Sequence, residues 1–339
     1  MSTISIVILL VLAVLTVVQI MRISETSTEI QNDNQVSEKD NNMQGILWLV
    51  VGMGFVISVV AMYMAWGHHL LPTPASEHGV EYDGLMNLSM LIINIVFFIV
   101  QPVLFYFSFK YRGKKGTKAT FFAHNNTLEL VWTTVPAVAL AVLIFWGLDV
   151  WGSVMTPENE EEPMIVEVYA KQFDWTVRYS GEDNKLGYAT VYDIEGANVL
   201  GVDTEDAHAS DDIVTKKLYL PVNRPVLFKF RSQDVIHSAY FPHFRAQMNC
   251  VPGDETLFQF TPTITTAEIR QDKKVMNHVE EVNAIRAAKG EDVWEFNYIL
   301  LCNKICGAAH YNMQLDITVV TESEFDNWIK EQATLAETL

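Results

Sequence analysis

Hydrophobic and polar positions divide the chain near Gly152. Before it stand long apolar runs; after it, short runs in which apolar and polar residues often alternate. Four apolar segments occupy residues 4–21, 45–66, 85–109 and 128–151. A helix rises about 1.5 Å per residue and a bilayer core takes about 20 residues, so the last three are long enough to cross. The first is shorter. No charged residue precedes Ile4 and no small-residue cleavage site follows Met21, so it is read as a retained span rather than a removed signal. Residues 1–151 are therefore expected to form a transmembrane anchor of about four helices, and residues 152–339 a soluble domain.

The basic residues orient the anchor. Lys110, Arg112, Lys114, Lys115 and Lys118 lie between the third and fourth segments, which predicts a cytoplasmic loop there. The fourth segment then exits on the opposite face. The chain reads as an integral membrane protein, of a bacterial inner membrane, with its C-terminal domain on the periplasmic side. Residues 22–44 are polar and without periodicity, and are expected to be an unstructured connector. Pro102 and Pro136 fall inside spans, where neighbouring helices tolerate them and a packing role suffices.

Beyond Gly152 the runs 164–170, 173–179, 216–221, 225–231, 255–262, 294–301 and 315–320 read as strands, with turn signals such as Val251-Pro252-Gly253-Asp254 between them. The pattern predicts a membrane-anchored all-β architecture ending in an antiparallel sandwich. Two stretches interrupt it. Residues 181–215 are polar and rich in Gly and Asp. Residues 266–291 place Val275, Val279, Val282 and Ile285 at helical spacing, which predicts an inserted helix near 272–288.

Charge narrows the partners. The formal net charge is −18, and residues 152–339 hold 31 acidic against 16 basic side chains. Such a surface repels nucleic acid and attracts a basic protein at low salt. Solubility alone would also account for it.

The chemistry gathers in one loop. Cys302, Cys306, His310 and Met313 follow each other as Cys-x3-Cys-x3-His-x2-Met between two strands. Thiolate, imidazole and thioether together are soft ligands that favour copper over magnesium or calcium. Zinc sites usually show Cys-x2-Cys pairs without Met, and a mononuclear blue-copper site uses one Cys. Two thiolates on one loop suggest two bridging sulfurs and a two-metal centre, although the same spacing also allows a disulfide. His237, at the end of a strand some 65 residues upstream, can meet this loop if the strands form a Greek key. Asp234 is placed to orient it.

The loop together with His237 resembles the copper site of the cytochrome c oxidase subunit II family. Further stretches carry the resemblance: His124 to Pro136 (HNNTLELVWTTVP), Lys171 to Trp175 (KQFDW), Leu218 to Pro221 (LYLP) and Arg231 to Ser238 (RSQDVIHS). The resemblance implies a cupredoxin-like Greek-key sandwich holding a binuclear copper centre, CuA. Its ligands would be His237, Cys302, Cys306, His310 and Met313, with the backbone carbonyl of Lys304. It implies a c-type cytochrome as donor and subunit I as the partner that holds haem, reduces oxygen and pumps protons. Further oxidase subunits and membrane lipid complete the surroundings. The chain would thus be an enzyme subunit whose partner carries the oxygen chemistry.

Departures from the family pattern matter. Lys304 stands where the family commonly has a Glu that helps bind an interface magnesium, and a charged Lys offers no lone pair. That magnesium is therefore in doubt here. Phe173 occupies the position of the family's electron-accepting Trp, with Trp175 nearby either as a substitute or as core. Glu129 would sit at the mouth of a proton channel in the partner, or act simply as a favourable charge at a helix N-terminus. Cys250 reads as a small buried residue. His68, His69, His78, His243 and His278 read as solvated. Three alternatives share parts of the pattern. A metal-free quinol oxidase subunit II would lack the cysteines. A copper-delivery module would show a βαβ pattern and no Met313. A nitrous oxide reductase domain would not need the two adjacent spans.

Overall fold

The computed structural model describes residues 13–23, 37–155 and 162–338. The segment predicted at 4–21 lies partly outside these; within them, α1 spans Ala13–Ile23. Among the described residues, three helices are long and apolar enough to cross a membrane: α2 (Glu38–Trp66), α3 (Glu77–Lys110) and α4 (Asn126–Met155). Each outruns the apolar segment that predicted it. Residues 38–44, expected in the unstructured connector, are the opening turns of α2. Ser37 caps them by accepting from the Asp40 backbone N–H at 3.1 Å, and Glu38 and Asp40 favour the positive end of the helix dipole. A hydropathy pattern registers only the apolar part of a helix. Pro102 and Pro136 lie within α3 and α4.

The chain divides into two compact units. In the one holding residues 1–68 and 89–136, α2 and α3 meet closely at Gly52, where an added Cβ would lie 2.0 Å from the Phe105 ring. Near the polar ends of the same helices, the Arg112 guanidinium donates to Asn42 Oδ1 and to the Phe109 carbonyl.

The other unit contains two five-stranded sheets. One has the order β3 (Ile213–Thr215), β2 (Asp174–Tyr179), β1 (Met164–Lys171), β5 (Val226–Ser232), β8 (Thr256–Phe260). The second has the order β4 (Leu218–Pro221), β10 (Gln314–Val320), β9 (Tyr298–Cys302), β6 (His237–Phe241), β7 (Ala246–Cys250). The sandwich is mixed rather than wholly antiparallel: β1 pairs with β5, and β4 with β10, in parallel. Long stretches of chain separate the members of both pairs, and parallel neighbours require such crossovers.

The core sits between the sheets. Strand β5 alternates buried and half-buried positions along its whole length, which sets Phe228 and Phe230 against Phe241 and Phe228 against Phe260, on which Phe244 also stacks. Each such ring contributes roughly 1.5–3 kcal/mol by leaving water. Strand β1 is buried on both faces, because the stretch after β2 folds over its outer side. Leu200, Val202 and Ala209 cover Tyr169, joined by Leu335. Beneath that cover Glu167 takes Nε of Arg178 at 2.6 Å and Nε of Arg231, while Arg178 also reaches Asp212 at 2.9 Å.

Helix α5 (Thr266–Ile269) and helix α6 (Lys273–Lys289) interrupt the strands. The run 294–301 was expected to be a strand throughout, yet β9 starts only at Tyr298. The reason is Asn283 on α6: its side chain accepts from the Trp294 N–H at 2.8 Å and donates to the Trp294 carbonyl at 3.0 Å, taking both groups a ladder would use. Helix α7 (Glu322–Lys330) follows β10 and carries a reciprocal capping box between Thr321 and Glu324. The short helix α8 (Leu335–Thr338) ends the described chain.

Candidate metal centre

Two connections build the site. Strand β6 opens with His237, and the segment before it carries Asp234. Strand β9 ends with Cys302, and the loop to β10 carries Cys306, His310 and Met313. Strands β6 and β9 are antiparallel neighbours with Ala239 opposite Cys302, which brings His237 to the root of the loop. The loop is closed by Cys302 N–H donating to the Met313 carbonyl at 3.0 Å, and is tied to β6 by Asn303 N–H donating to Ser238 at 2.9 Å.

The donor atoms converge. His237 Nδ1 lies 3.8 Å from Cys302 Sγ, and Cys302 Sγ 3.8 Å from Cys306 Sγ. Cys306 Sγ lies 3.7 Å from His310 Nδ1 and 3.8 Å from Met313 Sδ. The Lys304 carbonyl oxygen stands 3.2 Å from Cys302 Sγ. Each sulfur of the central pair thus has its own imidazole. His237, Cys302, Cys306 and Met313 are all buried, and the three cysteines of the chain are free thiols.

Asp234 organises both sides. Its Oδ1 accepts from His237 Nε2 at 2.9 Å and from its neighbour Val235 N–H at 2.7 Å. Its Oδ2 accepts from the Gln172 N–H at 2.7 Å, and the Gln172 side-chain amide donates to the Cys306 carbonyl. Partial burial alone would raise this carboxyl. The hydrogen bonds from His237, Gln172 and Val235 outweigh that and hold it below its ordinary value. With its Nε2 proton engaged, His237 turns the lone pair of Nδ1 toward the sulfurs, as a metal ligand requires.

The loop leaves no slack at Gly307. Its φ of 141° suits glycine, and an added Cβ would lie 2.7 Å from Phe173 Cζ and 2.9 Å from Gln172 Nε2. Phe173 is half-buried on this loop, whereas Trp175 is only 1% exposed and sets its ring against His237 with centroids 6.2 Å apart. Gln172 and Gly307 were not singled out from sequence, because their roles arise only from the fold. The Cys306 thiol is pushed up to about 11 by burial and by Cys302 beside it, so metal uptake must displace protons.

Other predicted residues lie elsewhere. Glu129 is exposed in the first turn of α4. Cys250 is fully buried opposite His237 across β6 and β7, and burial pushes its thiol up to about 12. His68, His69 and His278 are exposed, but two histidines read as solvated are not. His78 packs on Phe258 and Phe260. His243 is wedged against Phe296 and Tyr298, and burial pushes it down to about 4. Single polar residues in aromatic surroundings leave no periodic signal from which such burial could be read.

A site of two thiols, two imidazoles, a thioether and a carbonyl, largely shielded from water, suits soft metal ions held for electron transfer. Nδ1 of each histidine faces a different sulfur of the central pair.

A model of the cytochrome c oxidase subunit II transmembrane domain matches residues 61–150. An alternative cytochrome c oxidase subunit 2 of Bradyrhizobium diazoefficiens is 29% identical over 294 residues, covering 86% of this chain and 92% of the relative. Cytochrome c oxidase subunit 2 of a Synechocystis species is 24% identical, covering 83% and 81%. Among solved structures, the periplasmic domain of subunit II of cytochrome oxidase from Bradyrhizobium japonicum aligns at 20% identity with a TM-score of 0.31, covering 52% of this chain and 95% of that one.

Proposed function

We infer that this chain is a member of the cytochrome c oxidase subunit II family, is the electron-entry subunit of its oxidase and holds a binuclear copper centre in the loop after β9. The observation that carries this reading is the convergence of six donor atoms from His237, Cys302, Lys304, Cys306, His310 and Met313. When bound, the copper pair would take single electrons from a c-type cytochrome and pass them to haem in subunit I, where oxygen reduction and proton pumping occur.

The protein's own residues do the rest. Cys302 and Cys306 would supply the two thiolates that hold the copper, and their shared loop fixes the sulfur separation. His237 and His310 each offer a lone pair at Nδ1. Met313 adds a weak thioether ligand, and Lys304 contributes only its carbonyl. Lys304 also leaves the interface magnesium without the side-chain oxygen it would use. Asp234 fixes the tautomer of His237, and a rigid cage limits rearrangement when charge changes. Phe173, half-buried beside Gly307 of the loop, would serve electron entry, while Trp175 is buried against His237. The acidic soluble domain suits a basic donor and lies on the periplasmic side. Glu129 faces the cytoplasmic edge, at the mouth of a proton path in subunit I.

Metal analysis and electron paramagnetic resonance of the purified full chain test this. Two coppers sharing one unpaired electron are expected. A chain that binds a single copper, or none, sinks the assignment and revives a metal-free quinol oxidase subunit.

A further inference from the structure

The turn between β6 and β7 carries Arg245, in left-handed backbone at φ 52° and with its side chain 5% exposed. Its guanidinium is used on several sides. Nε and Nη2 donate to the two oxygens of Asp83 at 2.7 and 2.8 Å. Nη1 donates to the Pro242 carbonyl at 2.7 Å, and Nη2 also reaches the Pro72 carbonyl at 2.5 Å. Asp83 lies in the second turn of α3, and Pro72 in the segment leading into that helix. One side chain of the sandwich thus grips both the start of a membrane helix and its approach.

Neighbouring bonds run the same way. Ser76 Oγ donates to the Phe244 carbonyl at 2.7 Å, Ala75 N–H to His243 at 2.7 Å, and Glu77 N–H to Thr261 at 3.1 Å. Gly79 admits the approach, since an added Cβ there would stand 2.7 Å from Ser76 Oγ and 3.3 Å from Arg245 Cγ. A buried ion pair adds little stability over well-packed apolar residues, but a two-pronged guanidinium–carboxylate pair fixes geometry tightly. The other end of the same hairpin is the metal cage. Strand β6 begins at His237, which pairs with Cys250 at the end of β7, and the five residues of β6 span roughly 3.3 Å each.

We propose that Arg245 and Asp83 are positioning residues for electron transfer: they lock the β6–β7 hairpin, and the metal cage at its far end, to the helix that enters the membrane. The proposal rests on the copper reading above. Transfer between fixed centres falls steeply with their separation, so a hairpin that shifts on its helix slows transfer even when the centre itself is intact.

The test uses the assembled oxidase with Arg245→Gln, Asp83→Asn and Arg245→Lys. Three quantities are followed: the copper spectrum, the KM for the reduced donor, and the rate of copper-to-haem transfer after rapid reduction. A fourth, on the metal-free full chain, is amide hydrogen exchange at Ala75 and Glu77. The expected result is an unchanged spectrum and KM, transfer slowed severalfold, and faster exchange at both amides, with Arg245→Lys recovering part of each loss. Unchanged transfer with an intact spectrum overturns the proposal. So does loss of the copper spectrum in the variants, which would assign the pair to building the cage instead. If Arg245→Gln fails to assemble, Asp83→Asn decides. A wild-type oxidase without the two-copper signal would instead defeat the underlying functional reading.

Discussion

The carboxylate of Asp234 accepts the Nε2 proton of His237 at 2.9 Å, leaving Nδ1 of that ring facing Cys302. The same carboxylate reaches the Cys loop through Gln172. Replacing Asp234 by Asn should therefore weaken copper binding by about 10–100-fold, the usual loss when a partner of a metal-bound imidazole is removed. Competition with a copper chelator measures it. Unaltered affinity would show that the hydrogen bond does not orient the ligand.

On the proposed reading, Cys302→Ser and Cys306→Ser should each abolish the two-copper signal, because either change removes one of the two thiol donors that lie 3.8 Å apart. Copper content per chain should drop to one or below. Met313→Leu should keep both coppers and shift the reduction potential, which a spectroelectrochemical titration reads directly.

Gly307→Ala places a methyl group 2.7 Å from Phe173 Cζ in a backbone region that disfavours other residues. Strain of this kind costs on the order of 1–3 kcal/mol. The expected outcome is a lower thermal midpoint and reduced copper occupancy; a midpoint equal to wild type would show that the loop can yield.

Asp212 provides a pH test away from the metal. Burial pushes its carboxyl up to about 7, although Arg178 pulls the other way. The raised acid holds its proton better in the folded state. Its contribution is complete below the ordinary carboxylate range and is lost as pH rises through about 7. The soluble domain should lose stability between about pH 4 and 7 from this group, and Asp212→Asn should flatten that slope. Glu167, also buried, is held below its ordinary value by Arg178 and Arg231, so its effect falls at more acidic pH. Thermal midpoints across this range, with and without the substitution, separate the two.

If electrons enter at the acidic face, the rate with a basic cytochrome should fall as salt increases, since exposed charges are screened over about 10 Å at 0.1 M. A flat salt profile would point to a tethered donor.

The class of fold was readable where the period of apolar residues changes, from spans to alternating strands, near Gly152. The candidate donors of the loop stand out because Cys302, Cys306, His310 and Met313 are close in sequence, while His237 enters only through the Greek-key expectation that distant strand ends meet. Strands β6 and β7 were not recognised. They are short, hold His, Ser, Gln and Asn, and owe their conformation to pairing with each other and with β9. Nor could the links from Gln172 to Cys306, or from Arg245 to Asp83, be inferred: both join residues more than 130 positions apart, and no local pattern encodes them.

Strand β10 lies inside its sheet, between β4 and β9. It pairs Ile317 with Leu218, roughly a hundred residues earlier in the chain. The loop after β9 therefore depends on pairing between segments far apart in the chain. Contacts so distant in sequence form late. The loop between β9 and β10 is therefore anchored at its second end only once β10 has been made and has paired with β4 and β9.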